Sequence, residues 1–207
     1  MNEHAWVTDF MGDIRLVLGL TADICARDLK EGAEASRLLK SGQPVPPELR
    51  PRAVWMDKGK KGPQKFPALF YANGYWIVSR EVADTLERFD LGAGGLFPVQ
   101  VLRSDRETPA GGEWFCWIFG NQKDTLDAEA SVNLKQRNPH PESIFRNLAS
   151  HPADGDVALS SAALLGPDVW VEKRLTLTVL LSGTMGDALV SAGFGKALRL
   201  TRARVLK

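Results

Sequence analysis

The chain has 207 residues, of which 44% are hydrophobic, 8% aromatic and 25% charged, the proportions of an ordinary globular protein. Its 26 lysine and arginine residues balance 25 aspartate and glutamate residues, so the net charge is +1, which excludes a global field that would gather nucleic acid or an acidic membrane surface. Two cysteines, Cys25 and Cys116, are too few for a disulfide scaffold or a four-cysteine zinc site.

Residues 1–42 are predicted to form an N-terminal, mainly helical segment after a short opening strand. Apolar residues recur at helical spacing from Ile24 to Leu39, with Thr21 or Asp23 near the helix start and Ser41-Gly42 as the stop. We see neither the basic start and apolar run of a secretory signal nor the ~20 apolar residues of a bilayer span. We therefore expect a cytoplasmic protein that does not enter a membrane.

Residues 43–207 are predicted to form one compact α+β domain. Its beginning, residues 42–67, is rich in proline, which lacks an N–H donor and breaks helices and strand ladders. Within this stretch Lys58-Gly59-Lys60-Lys61-Gly62-Pro63 is polar and basic. Such composition is typical of a solvated surface loop.

The centre of the chain predicts a strand, a helix and a buried hairpin. Tyr75–Val78 is typical of a strand, Ser79 stands where a helix cap belongs, and Val82–Phe89 has helical spacing. Alternating apolar residues in Phe97–Arg103 predict a second strand. The nearly continuous apolar run Glu113–Phe119 predicts its antiparallel partner at the centre of the core.

The last part of the chain repeats this order of elements. Residues 120–156 are polar and predicted irregular, with one short helix at 143–149. A strand then ends at Ser182, a helix follows to Ala192, and residues 198–206 predict a closing strand. This strand–helix–strand series echoes the one around Ser79, which indicates either a true duplication or a recurring local solution.

One group of possible metal ligands gives the first alternative function. It consists of His140, His151, Asp154 and Asp156, and two imidazoles with carboxylates could bind a divalent ion if the loop folded back. The spacing matches no helical histidine motif, and Asp154-Gly155-Asp156 is equally typical of a turn. A small metal-dependent enzyme using the His140/His151 region is therefore the alternative hypothesis.

A basic C-terminus gives a second alternative, nucleic-acid binding, which we consider unlikely. Its cations are Lys196, Arg199, Arg202, Arg204 and Lys207. Without a stacking platform or a recognised motif, ordinary solvent-facing or edge-protecting charges are the favoured interpretation. Among the tryptophans, Trp6 and Trp55 are predicted to be exposed anchors for a partner, whereas the other four are assigned to the core.

Several segments resemble a family of bacterial immunity proteins that accompany polymorphic toxins, listed as immunity family eleven. They span residues 66–206 and are Trp76–Leu86, Leu96–Val101, Trp114–Phe119, Ala158-Leu159-Ser160, Gly166–Val171, and Leu181-Ser182 leading to Leu189 and Ala192-Gly193. The resemblance implies a non-catalytic cytoplasmic protein that binds and blocks a cognate toxin domain of a secreted effector. It carries over no catalytic residue, cofactor or metal.

We therefore expect an α+β fold with an antiparallel or mixed sheet and helices packed mainly on one side. The expected function is neutralisation of a toxin, with complementary charge setting the association rate. For the partner-binding residues we choose the lysines of the basic loop, Lys58, Lys60, Lys61 and Lys65.

Overall fold

A computed structural model describes residues 4–57, 63, 65–138, 140 and 143–206. Contacts divide the described chain into two compact units. The terminal unit takes its residues from within 1–12, 89–92 and 121–207, and the middle unit takes its residues from within 13–88 and 93–120. The predicted boundary near residue 42 stays a prediction.

Sixteen strands and four α-helices lie in the described residues. The strands are β1 (His4–Val7), β2 (Leu20–Ala22), β3 (Ala53–Met56), β4 (Leu69–Ala72), β5 (Tyr75–Ser79), β6 (Gly95–Pro98), β7 (Gln100–Leu102), β8 (Trp114–Ile118), β9 (Gln122–Lys123), β10 (Leu126–Asp127), β11 (Lys135–Gln136), β12 (Arg146–Asn147), β13 (Ala158–Leu159), β14 (Val169–Glu172), β15 (Val179–Ser182) and β16 (Thr201–Val205). The helices are α1 (Asp23–Arg27), α2 (Leu29–Lys40), α3 (Arg80–Leu86) and α4 (Gly183–Ser191).

The terminal unit is built on a seven-stranded mixed sheet in the order β10-β13-β16-β1-β15-β14-β9. The pairs β13/β16 and β14/β9 are parallel, and the other pairs are antiparallel. Its core includes the fully buried Trp170, Leu180 and Leu159. A separate pair, β11 with β12, completes its strands.

The middle unit contains an antiparallel sheet, β4-β5-β8-β6, and a mixed sheet, β2-β3-β7. Apolar residues of both sheets share one core with Ala35 and Leu39 of α2. The predicted hairpin is confirmed in its first part, since β6 pairs antiparallel with β8. Asp28 caps α2 by accepting from the Lys30 N–H, so the single helix predicted before Ser41 is in fact two helices.

The sequence echo corresponds to a repeated strand arrangement. In the middle unit the hairpin β4–β5, helix α3 and strand β6 follow one another, and β8 pairs antiparallel between β5 and β6. The terminal unit has the same order: the hairpin β14–β15, helix α4 and strand β16 follow one another, and β1 pairs antiparallel between β15 and β16. Strand order and direction therefore agree between the two units, which either a true duplication or a recurring local solution would produce.

The fold class is confirmed in its coarse part: the described chain is sheet-rich, with mixed and antiparallel sheets and helices. Packing of the helices mainly on one side stays a prediction. The helix predicted at residues 143–149 is wrong, because Arg146–Asn147 forms a strand with Lys135–Gln136. The predicted exposure of Trp6 is also wrong, since its side chain is buried in β1.

Candidate partner-binding groove

The basic loop is only partly visible in the described chain. Lys58, Lys60 and Lys61 lie outside the described residues, whereas Lys65 is exposed at the end of the loop. The Ser79 hydroxyl and, as a smaller contribution, the Lys65 ammonium lower the pKa of Glu81 in the first turn of α3. Lys65 therefore lies beside the start of that helix.

Phe66 fixes the end of the basic loop to the antiparallel sheet. Its ring centroid lies 5.2 Å from that of Phe70 and 5.7 Å from that of Trp114, within the range of attractive aromatic pairs. Trp114 also donates its indole N–H to the Gly111 carbonyl at 2.8 Å. These contacts hold Trp114 in place, half-buried, at the start of β8.

Beside Trp114 the middle unit has an open groove of about 660 Å³. Three separate segments and two single residues line it: Arg52–Ala53, Pro98–Leu102, Gly112–Phe115, Arg80 and Pro109. The groove combines an apolar floor with charged side chains at its edge, the composition of many binding sites.

The groove forms where the chain leaves one sheet for the other. Pro98 is the last residue of β6. The Val99 N–H still donates to the Trp114 carbonyl at 3.0 Å, and the Gln100 N–H then donates to the Arg52 carbonyl at 2.9 Å, next to β3. Two residues later β7 begins and pairs parallel with β3. This change of partner opens the space above Val99, Leu102 and Phe115, which are 6%, 8% and 6% exposed.

Arg80 and Arg52 supply the cations at the edge. The Arg80 guanidinium lies 4.2 Å from the Phe115 ring centroid, 2.8 Å from Glu113 and 3.3 Å from Asp84, so two carboxylates balance its charge. Arg52 is exposed and forms no ion pair with any carboxylate of the described chain. Its charge is therefore open to a ligand.

The two aspartates of the alternative hypothesis accept hydrogen bonds from neighbouring segments of the chain, whereas the side chains of His140 and His151 form no hydrogen bond or ion pair within the described residues. Asp156 is buried and accepts from the Asn133 amide and the Ala153 N–H, both at 2.9 Å. Asp154 accepts from the Arg202 N–H at 2.7 Å. Within the described ranges, no three histidine, cysteine, aspartate or glutamate residues are arranged to hold a metal ion.

The arginines of the C-terminal strand likewise contact the protein itself. β16 is an interior strand between β13 and β1, so its charges do not protect a sheet edge. Arg204 donates to the carbonyls of Gly155 and Ala130, and the Arg202 guanidinium lies 5.1 Å from the Trp6 ring centroid. These contacts account for both arginines structurally.

Lys123 in the terminal unit is a half-buried lysine whose pKa is strongly lowered. Burial lowers its pKa to about 8, partly opposed by Asp168 and Asp90. Its ammonium donates to the carbonyls of Leu165 at 2.6 Å and Pro167 at 2.9 Å. Because both bonds close the turn before β14, this lysine has a structural role.

Neither cysteine is arranged as a nucleophile. Cys116 is fully buried in β8, and burial raises the pKa of its thiol. Burial and the nearby Asp23 also raise the pKa of Cys25, whose thiol donates to the Asn73 carbonyl. Since the thiolate is the reactive form, both environments disfavour cysteine chemistry.

Sequence reasoning placed Trp114 in the core and missed the groove, because its walls come from segments far apart in the chain. The one local signal is Pro98, which interrupts an otherwise regular strand pattern and marks the change of sheet.

A sequence model described as an immunity protein family, Imm11, matches residues 24–199, which is most of the chain. No curated protein matches the chain. None of the described helices has the length and hydropathy of a membrane span.

Proposed function

Because the chain belongs to the immunity protein family Imm11, we propose that it binds and neutralises a cognate toxin domain of a secreted effector. The match over residues 24–199 is the observation that carries this proposal. In this proposal the chain acts in the cytoplasm and does not catalyse a reaction. It protects the cell by occupying the toxin's active site or by preventing its assembly.

We assign the first contact with the toxin to the basic loop. Residues 50–65 include six basic side chains and a single carboxylate, that of Asp57, in a protein whose overall charge is close to zero. A local excess of positive charge increases the association rate with an acidic surface, and the effect decreases as salt rises. Lys58, Lys60, Lys61 and Lys65 are the proposed contact residues.

Two experiments test the toxin-binding function. A tagged chain is used to isolate partners from the native host, and mass spectrometry identifies what it retains. The expected result is one large secreted protein, or its C-terminal fragment, at near-equal stoichiometry. Co-expression of that toxin domain with this chain should then restore growth. Retention of no such protein while the toxin is expressed, or no protection on co-expression, would contradict the proposal.

Charge reversal tests the proposed contact residues. Changing Lys58, Lys60, Lys61 and Lys65 to glutamate should lower the toxin association rate by about tenfold or more at low salt. The matched control reverses four exposed lysines outside the basic loop, Lys30, Lys40, Lys135 and Lys196, and has the same net charge. Equal association rates for the two variants would remove the basic loop from the interface.

A further inference from the structure

We infer that the groove of the middle unit receives an acidic segment of the toxin domain, which places an aliphatic or aromatic side chain on the groove floor. This inference rests on the proposed function and adds the binding site and the chemistry of the bound segment. It uses the described residues Arg52, Lys65, Gln100 and Trp114, together with the floor.

The shape of the groove fits an inserted side chain. Its volume of about 660 Å³ lies within the ~300–1,000 Å³ range of protein binding cavities. Val99, Leu102 and Phe115 retain a small accessible area at its floor, and Trp114 forms part of its wall. Burial of an apolar anchor against such a floor is the common source of affinity in protein interfaces.

The edge of the groove selects negative charge. Glu113 and Asp84 already balance Arg80, and Glu81 offsets part of the charge of Lys65 beside α3, so the net positive charge comes mainly from Arg52. The exposed amide of Gln100, in the wall, can donate to a carboxylate or a backbone carbonyl. Carboxylates flanking the anchor would meet these three groups.

The same charges disfavour a second copy of this chain as the occupant. A symmetric dimer brings the same surface patch of both subunits together. The groove lining contains two cations, Arg52 and Arg80, and one carboxylate, Glu113, in each copy, so such a contact would oppose like charges. An acidic segment of another protein has the complementary charge.

Two groove variants and one control test the inference, with the purified toxin domain identified by the native-host isolation as the probe. Arg52→Glu reverses the unbalanced cation, and Gln100→Trp fills the groove from an exposed position. Arg88→Glu is the matched control, because Arg88 is an exposed arginine of the same unit that does not line the groove. Circular dichroism and thermal unfolding verify that all three variants fold.

We expect Arg52→Glu and Gln100→Trp each to weaken toxin binding by about tenfold or more, as measured by calorimetry. Arg88→Glu should remain within about threefold of the unmodified chain, because an exposed charge outside the groove contributes little. Rising salt should weaken binding by the unmodified chain more than binding by Arg52→Glu.

Other results would overturn the inference in distinguishable ways. If the unmodified chain binds and protects while both groove variants bind within about threefold of it, the groove assignment fails and the proposed function stands. A dimer in sedimentation analysis that Gln100→Trp dissociates would assign the groove to a second copy. If the unmodified chain neither binds nor protects, the inference and the proposed function both fail.

Discussion

Replacement of Gly186 by alanine should destabilise the terminal unit, although the same change stabilises most helices. Alanine is favoured over glycine in a helix interior by about 1 kcal/mol. Gly186, however, lies in α4 with its α-carbon against β1. An added Cβ would lie 2.7 Å from Nε1 of Trp6 and would overlap the ring atoms Cδ1 and Cγ even more closely.

The Trp6 ring is held on several sides, so it cannot move away at low cost. Its side chain is only 7% exposed, its N–H donates to Asp187 at 3.1 Å, and Arg202 lies over its ring. Overpacking of this kind costs about 1–3 kcal/mol, and a broken hydrogen bond adds about 1 kcal/mol. After subtraction of the helix gain, we expect a loss of about 2 kcal/mol, equivalent to a decrease in Tm of about 4–8 °C.

Urea unfolding monitored by circular dichroism measures this loss in Gly186→Ala. The control is Gly12→Ala in the same unit, where the added Cβ would lie 3.7 Å from Asp9 Oδ1, an ordinary contact. The free energy of unfolding of this control should differ from that of the unmodified chain by no more than about 0.5 kcal/mol. In a Trp6→Ala background the clash disappears, so Gly186→Ala should become stabilising. Stabilisation by Gly186→Ala with Trp6 present would refute the reasoning.

Two further substitutions and one labelling assay test other parts of the structure. Because burial lowers the pKa of Lys123 from 10.5 to about 8, the folded state binds fewer protons than the unfolded state between these values. The contribution of Lys123 to stability therefore rises with pH in this range. Urea titrations from pH ~8 to ~10 should show the free energy of unfolding of the unmodified chain increasing relative to that of Lys123→Met. The same pH dependence in both proteins would contradict the lowered pKa. Leu177 has a φ of 50° and is 41% exposed. Leu177→Gly should therefore raise the free energy of unfolding by about 0.5 kcal/mol, because glycine adopts the left-handed conformation without strain. A loss of more than about 1 kcal/mol in urea unfolding would instead indicate that the Leu177 side chain stabilises the fold by packing. In a thiol-reagent assay at pH ~8, native Cys116 should stay unmodified because burial raises the pKa of its thiol, and rapid labelling without unfolding would exclude that environment.

Local patterns predicted the elements whose stabilising contacts are close in sequence. The helix predicted to follow Ser182 is present as α4, which Ser182 caps by accepting from the Met185 N–H at 3.2 Å, and β5 leads directly into α3 at Ser79. The failure at residues 143–149 has the opposite cause. Arg146 exchanges backbone hydrogen bonds with Arg174 and Thr176, and partners this far away in sequence override local helix propensity.

The groove depended even more on long-range placement. Arg52, Gln100 and Trp114 come from three stretches that only the pairing of β7 with β3 and of β6 with β8 brings together. Net charge also concealed the local excess of cations, because 26 basic and 25 acidic residues nearly cancel over the whole chain. Composition therefore argued only weakly for a charged interface, whereas the position of Arg52 argues for one directly.

The repeated arrangement identifies what is particular to the middle unit. Phe115 lies opposite Val78 in β5, and Trp6 lies opposite Leu181 in β15. Val78 and Leu181 are equivalent, because each directly precedes the serine at the start of a helix. On their other side these aromatic residues face Pro98 and Arg202, respectively. Arg202 lies within β16 and stacks on Trp6, whereas Pro98 is the last residue of β6, after which β7 pairs with the other sheet.

In the terminal unit the strand therefore continues past Arg202, whereas in the middle unit the chain changes sheet after Pro98, where the groove lies. In the middle unit the cation above the aromatic ring is Arg80, from the helix rather than from the facing strand. Phe115 lines the groove together with Arg52 and Trp114. The contacts that the two units share explain their common fold, and the departure at Pro98 explains why we place toxin recognition in the middle unit.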